Sequence, residues 1–243
     1  MEKIKLFFKN LKWYDYVILA VFIITMLTVG LVFHSNAITI LNAILGSVGV
    51  YFIAKANIVG QFITTVQVIL YLIISYFNGL YGEVIISAFI MFPFYIVTII
   101  LWFKNLNKKS ENVGEVRINK GLTWKEWVIM LVCVGCVTVA IFFLLRHFNT
   151  RLLVLSTLSV AFTVIASYLS VRRSEFSFIF YIISNIIGVA MWIALVIQDN
   201  NLSQLITFIT SLTYLLINIF GIFNWLKLKK KQEVENGTFS TSR

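Results

Sequence analysis

An all-α membrane protein with eight spanning helices is the fold class this sequence predicts, from its composition, its apolar runs and the placement of its basic residues. Of 243 residues, 60% are hydrophobic, 16% aromatic and 12% charged, whereas a soluble domain carries about 25% charged residues. A chain so poor in charge cannot cover a water-exposed surface, and its medium is the lipid bilayer. Eight apolar runs approach the roughly 20 residues that cross a bilayer as a helix; they lie at approximately 15–33, 37–54, 58–77, 84–103, 127–145, 152–170, 176–198 and 204–226. A net charge of +10 would suit nucleic acid in a soluble protein. Here the basic residues sit in loops and tails between apolar runs, so no nucleic-acid partner is expected.

The first run follows Lys3, Lys5, Lys9 and Lys12, as a secretory leader's apolar segment does, yet it is too long for one and no small-residue cleavage site follows. Residues 1–36 are therefore read as a cytoplasmic segment and an additional helix. Runs two to four, residues 37–103, form a first three-helix bundle. Residues 104–151 hold the one long polar connection, KNLNKKSENVGEVRINKGLT, and then a linker helix. Runs six to eight, residues 152–226, form a second bundle, and 227–243 is a basic, then polar, cytoplasmic tail expected to lack structure in water.

Lysine and arginine test the helix count, because cytoplasmic loops retain positive charge. With the N-terminus inside, the inner segments hold Lys3, Lys5, Lys9, Lys12, Lys55, Lys104, Lys108, Lys109, Arg117, Lys120, Lys125, Arg172, Arg173, Lys227, Lys229, Lys230, Lys231 and Arg243, which is 18 of the 20 basic residues. Arg146 and Arg151 remain outside. Losing one span would invert every later loop and destroy the split. Both termini are thus expected in the cytoplasm.

Enzymatic chemistry finds no foothold. Cys133 and Cys136 share a face of the apolar run LVCVGCVTVAIF, without the further ligands a metal needs. His34 and His147 follow apolar runs with no acid or thiol at ligand spacing. No Ser/His/Asp set, metal cluster or phosphate-cradling glycine loop appears, so no cofactor and no catalysis are expected. The ten acids all fall in tails, loops or span ends, and proton-coupled carriers usually place an ionisable group at mid-membrane. Uncoupled passage is the expectation, with sodium coupling through carbonyls and hydroxyls left open.

The chain also hints at an internal repeat, in which helices four apart share an orientation. Ser47-Val48 recurs as Ser159-Val160, Asn78 as Asn201 and Trp102 as Trp225, with an insertion required near the third and seventh runs. Three runs carry polar-aromatic stripes at helical spacing: Gly60, Thr64, Gln67, Tyr71 and Asn78; Phe178, Tyr181, Asn185, Gly188 and Trp192; and Thr207, Ser211, Tyr214, Asn218, Gly221 and Trp225. Such residues serve either as glue between helices or as the wall of a solute pocket, since a lone amide in lipid is costly. The candidate substrate-binding residues are Gln67, Tyr71, Phe178, Tyr181, Asn185, Trp192, Tyr214 and Asn218. Aromatic rings flanking amides suit a flat ring bearing hydrogen-bonding substituents and sugar hydroxyls.

The stretches VQVILYLIISYFNGLYGEVIISAFIMFPFYIVTIILWFKN, SEFSFIFYIISNIIGVAMW and NIFGIFNW together resemble the PnuC-type vitamin transporters, over most of the chain from about residue 40. That resemblance implies a bacterial inner-membrane facilitator for nicotinamide riboside or a related vitamin, with cytoplasmic phosphorylation drawing uptake onward. It also implies two parallel three-helix bundles joined by a linker helix, as in the SWEET sugar carriers, and a homotrimer. In the nicotinamide riboside branch the seventh helix carries Trp-x-x-x-Asn; Tyr181 and Asn185 stand at those positions here. The Asn is kept and the Trp is not, which leaves thiamine, riboflavin and deoxynucleosides open as substrates. Carriers of other solutes such as sugars, and non-transport membrane proteins, are the remaining classes.

Overall fold

The computed structural model describes residues 11–77, 80–110, 112–119, 121–150, 152–199 and 205–235. Among them are eight helices long and apolar enough to cross a membrane: α1 (Trp13–Val32), α2 (Ala37–Ala54), α3 (Ile58–Phe77), α4 (Tyr81–Lys104), α5 (Trp124–His147), α6 (Leu153–Val171), α7 (Ser177–Asp199) and α8 (Leu205–Glu235). No strand occurs among the described residues beyond two isolated bridges. Asn78 and Asn201, the second pair of the expected repeat, lie outside the described residues, as do Lys3, Lys5, Lys9, Lys120, Arg151 and Arg243.

Four of the short connections are made by one device. Helices α1, α2, α5 and α6 end with His34, Ala56, Asn149 and Arg173 in the left-handed region, at φ between 51° and 55°. In each, the following N–H reaches back five residues: Ser35 to Gly30, Asn57 to Phe52, Thr150 to Leu145 and Ser174 to Leu169. This closure satisfies the last carbonyls of the helix and reverses the chain in a few residues.

Helices α2, α3 and α4 pack in sequence as one bundle, and α6, α7 and α8 as another. The bundles meet reciprocally, with α4 on α6 and α8 on α2. The linker α5 docks on α6 and touches α4, while the additional helix α1 docks on α2 and touches α8. The two dockings share a detail. Asp15 in the first turn of α1 pairs with Lys55 at the end of α2 at 2.6 Å, and Glu126 in the first turn of α5 pairs with Arg172 at the end of α6 at 2.5 Å. The linker therefore has a counterpart in α1. Lys55 and Arg172 are 117 positions apart, as are Ala56 and Arg173, so Ser47 corresponds in this frame to Val164 and the expected Ser47-Val48/Ser159-Val160 pairing is out of register.

The long connection is folded onto one end of the bundle. It pairs Leu106 with Val116 and Asn57 with Glu115, and Val116 is fully buried. Here the expected tail is corrected. Helix α8 runs on to Glu235, because its basic extension contains no breaker and Gln232 is buried, accepting from the Ile118 N–H and donating to the Val116 carbonyl and Glu115. Span α4 is also longer than expected, starting at Tyr81, and passes through a π-helical segment at Ser87–Met91. Pro93 stands two residues beyond it; it has no N–H to donate to the residue four before it, and a widened turn absorbs that gap.

Candidate substrate cavity

A cavity of about 290 Å³ lies between the bundles. Toward the end carrying the long connection it is closed by a core that includes Trp102, Trp225, Phe178, Tyr51 and Ile217. The closure is reciprocal. The Trp102 indole donates to the Ser170 carbonyl at the end of α6, the Trp225 indole donates to the Ile53 carbonyl at the end of α2, each at 2.9 Å, and the two rings meet at 5.7 Å. Asn224 donates to the Ala54 carbonyl, and Lys229 pairs with Glu175, beside this plug.

Seven of the eight expected residues line the cavity: Gln67 and Tyr71 from α3; Tyr181, Asn185 and Trp192 from α7; and Tyr214 and Asn218 from α8. Phe178 does not, and this expectation is corrected. It is fully buried, its ring crosses Trp225 edge-on at 5.2 Å, and it lies so close to Gly221 that any side chain there would strike the ring. Helical spacing placed it on the face of Tyr181, but one turn nearer the closed end, where the face meets protein instead of space.

The polar groups of the cavity divide into tied and untied. Gln67 donates to Asn42 Oδ1 at 3.0 Å. Ser159, Thr163 and Ser184 form a hydroxyl cluster, with Thr163 Oγ1 and Ser184 Oγ 2.7 Å apart and the Ser184 hydroxyl donating to the Ser159 carbonyl. Tyr181 Oη lies 3.3 Å from Ser167 Oγ. Tyr214 reaches across to α2, where Gly46 leaves room for its hydroxyl: a Cβ at position 46 would strike Tyr214 Oη. By contrast, Asn185 and Asn218 have no hydrogen-bond partner among the described residues. Amides facing enclosed space without protein partners are the groups a ligand satisfies.

Sequence reasoning missed Glu83 and Tyr95, both in the cavity wall. Along an unbroken helix their separation corresponds to about 1200° of rotation, leaving them about 120° apart; the one residue that the π segment inserts takes up about 100° and brings them onto one face. Glu83 also fell in a presumed loop. It stands in the first turn of α4, a span end as expected, yet it lines the cavity, and Tyr71 Oη donates to its Oε2 at 3.4 Å. The lining residues include no Lys, Arg or His. Cys133 and Cys136 are exposed on the outer surface of α5 as free thiols, and no group of three or more His, Cys, Asp or Glu poised to hold a metal occurs among the described residues.

A family model described as nicotinamide mononucleotide transporter matches residues 36–227. A protein of Neisseria mucosa named nicotinamide riboside transporter PnuC is 25% identical over 189 residues, covering 78% of this chain and 72% of that protein. One of the same name from Haemophilus influenzae is 23% identical over 225 residues, covering 93% and 95%. The crystal structure of the Vitamin B3 transporter PnuC has the same fold, with a TM-score of 0.76 at 23% identity, covering 91% of this chain and 94% of that one.

Proposed function

The chain belongs to the nicotinamide mononucleotide transporter family, and from that membership we propose that it mediates facilitated uptake of nicotinamide riboside, or of a closely related vitamin, across a bacterial inner membrane. The observation that carries the reading is the composition of the cavity wall: aromatic rings, amides without protein partners and hydroxyls, with no cationic side chain among the lining residues. A phosphate monoester is held in proteins by Arg, Lys or clustered N–H groups at helix starts. A wall without such groups suits the riboside better than the mononucleotide, in accord with the name borne by the relatives.

In this reading Tyr181 and Trp192 stack on the flat ring, Asn185 and Asn218 bond its carboxamide or the ribose, and Gln67 and Tyr71 complete the wall from the other bundle, with Tyr214 between. The reciprocal tryptophan closure is the inner gate, and rocking of one bundle against the other opens it. Passage is downhill, and cytoplasmic phosphorylation of the product keeps it inside. The same reading places both termini in the cytoplasm, keeps the division into two bundles, a linker and terminal segments, includes a homotrimer by likeness to the family, and assigns no catalytic step. A second reading, another vitamin or a nucleoside, rests on Tyr181 standing where the nicotinamide riboside branch carries Trp.

Uptake of labelled nicotinamide riboside into proteoliposomes tests the proposal. Saturable uptake with an initial rate unchanged by collapse of proton and sodium gradients is expected. Absence of saturable uptake would end the substrate assignment, and a several-fold loss on collapse would end the uncoupled mechanism.

A further inference from the structure

Among the described residues, the wholly or partly buried carboxylates come with partners. Asp15 has Lys55, Glu175 has Lys229 and Glu126 has Arg172, while buried Glu115 gathers donors from Asn107, Ser110, Asn112 and Gln232. Glu83 breaks the pattern. It faces the cavity, its one hydrogen bond among the described residues is the long one from Tyr71, and no cationic side chain is among the residues that line the space before it. A carboxylate withdrawn from water gains most from a positive charge brought alongside it. The fold therefore holds half of an ion pair at the wall of a cavity and leaves the other half vacant.

We propose that the vacant half is the ligand: Glu83 is a specificity-determining residue that selects a positively charged aromatic ring, and Tyr71 is the positioning residue that holds its carboxylate toward the cavity. This rests on reading the cavity as the transport site. One further feature agrees with a cation. Tyr95, Tyr181, Tyr214 and Trp192 line the same cavity, and aromatic faces attract cations. A pyridinium or thiazolium fits this wall, and a neutral flavin or nucleoside leaves the carboxylate without its partner.

The test is binding at fixed neutral pH by the purified full-length protein. The probes are nicotinamide riboside, its uncharged dihydro form, thiamine as a second cation and riboflavin as a second neutral vitamin. The parent is expected to prefer nicotinamide riboside to the dihydro form by roughly tenfold to a hundredfold, the span of a charge-assisted contact. Glu83→Gln should bring that ratio close to one, and Glu83→Asp should keep it above one. The melting temperature without ligand checks that each variant is folded, and Glu83→Ser carries the same comparison should the amide variant fail to fold. Retention of the full cation preference in Glu83→Gln overturns the assignment, as does a parent that binds no cation in the set. If nicotinamide riboside does not bind while thiamine binds in a Glu83-dependent way, the substrate reading fails and the role of Glu83 stands.

Discussion

The two bundles repeat one another at their closed end and part company in the cavity. At the closed end Trp102 of α4 holds the last turn of α6 and Trp225 of α8 holds the last turn of α2, through the same bond at the same distance. Lys55 and Arg172 cap equivalent helices and receive equivalent acids from α1 and α5. In the cavity, one bundle contributes Gln67, Tyr71, Glu83 and Tyr95, the other Tyr181, Asn185, Trp192, Tyr214 and Asn218. A closure that both halves must release together benefits from symmetry, because equal latches open in one step. The proposed ligand, with a ring at one end and a sugar at the other, does not, and the two walls differ in the residues they contribute. The divergence begins at the boundary between the two regions. Buried Gln61 stands where the other half has Phe178, 117 positions on, and its Oε1 finds no partner while the phenyl ring packs against Trp225.

The largest effect that would break this comparison is at the latches. Trp102→Ala and Trp225→Ala should each cost about 3–5 kcal/mol, the range for a large aromatic lost from a core. The two melting temperatures should fall together, and a loss confined to one variant would show that the closure is not reciprocal. Next come the ion pairs, which are equivalent in position and unequal in burial: the Asp15 side chain is 0% exposed and that of Glu126 is 30% exposed. Asp15 also accepts from Tyr51 and from the Lys12 N–H. Denaturation of Asp15→Asn should show a loss on the order of 2 kcal/mol, below that of a wholly buried pair because Lys55 keeps contact with solvent. Glu126→Gln should lose less than about 1 kcal/mol. Equal losses would mean that α1 and α5 are held alike after all. The smallest effect is expected at the boundary, where Gln61→Leu removes an amide oxygen without a partner and should change stability by no more than about 1 kcal/mol, in either direction. A loss of several kcal/mol would show that the Gln61 amide oxygen is paired in the native protein, beyond the long bond from its Nε2 to Ser170 Oγ.

Much of the fold was legible because membrane helices must be long and apolar, which sets eight spans, and because basic residues gather on one side. Trp102 and Trp225 were legible as a pair, since equal positions in parallel repeats keep equal residues where both make the same bond. The extension of α8 was hidden by its lysines, because an apolar window ends at residue 226 whereas the helix beyond it is anchored by polar side chains, Lys229 on Glu175 and Gln232 on the long connection. Of the cavity wall, the amides and tyrosines of α3, α7 and α8 showed through as polar residues in apolar surroundings at regular spacing. Phe178 was misplaced because spacing gives the face and not the depth. Glu83 and Tyr95 were missed because a π segment changes the face partway along α4, and the pattern of a regular helix does not carry across it.

Asn185 decides the central claim, that the unpaired amides between the bundles bind the transported molecule. Thermal melting of the purified protein and of Asn185→Leu, titrated with nicotinamide riboside, separates folding from binding, since a ligand raises the melting point of the state it binds. The parent should be stabilised by ligand. Asn185→Leu should melt near the parent's temperature when empty and bind about 1–3 kcal/mol more weakly. Gln67→Leu should lose affinity and some stability together, because it also strips Asn42 of its donor. If both variants bind as tightly as the parent, these amides hold helices together and the cavity is not the site.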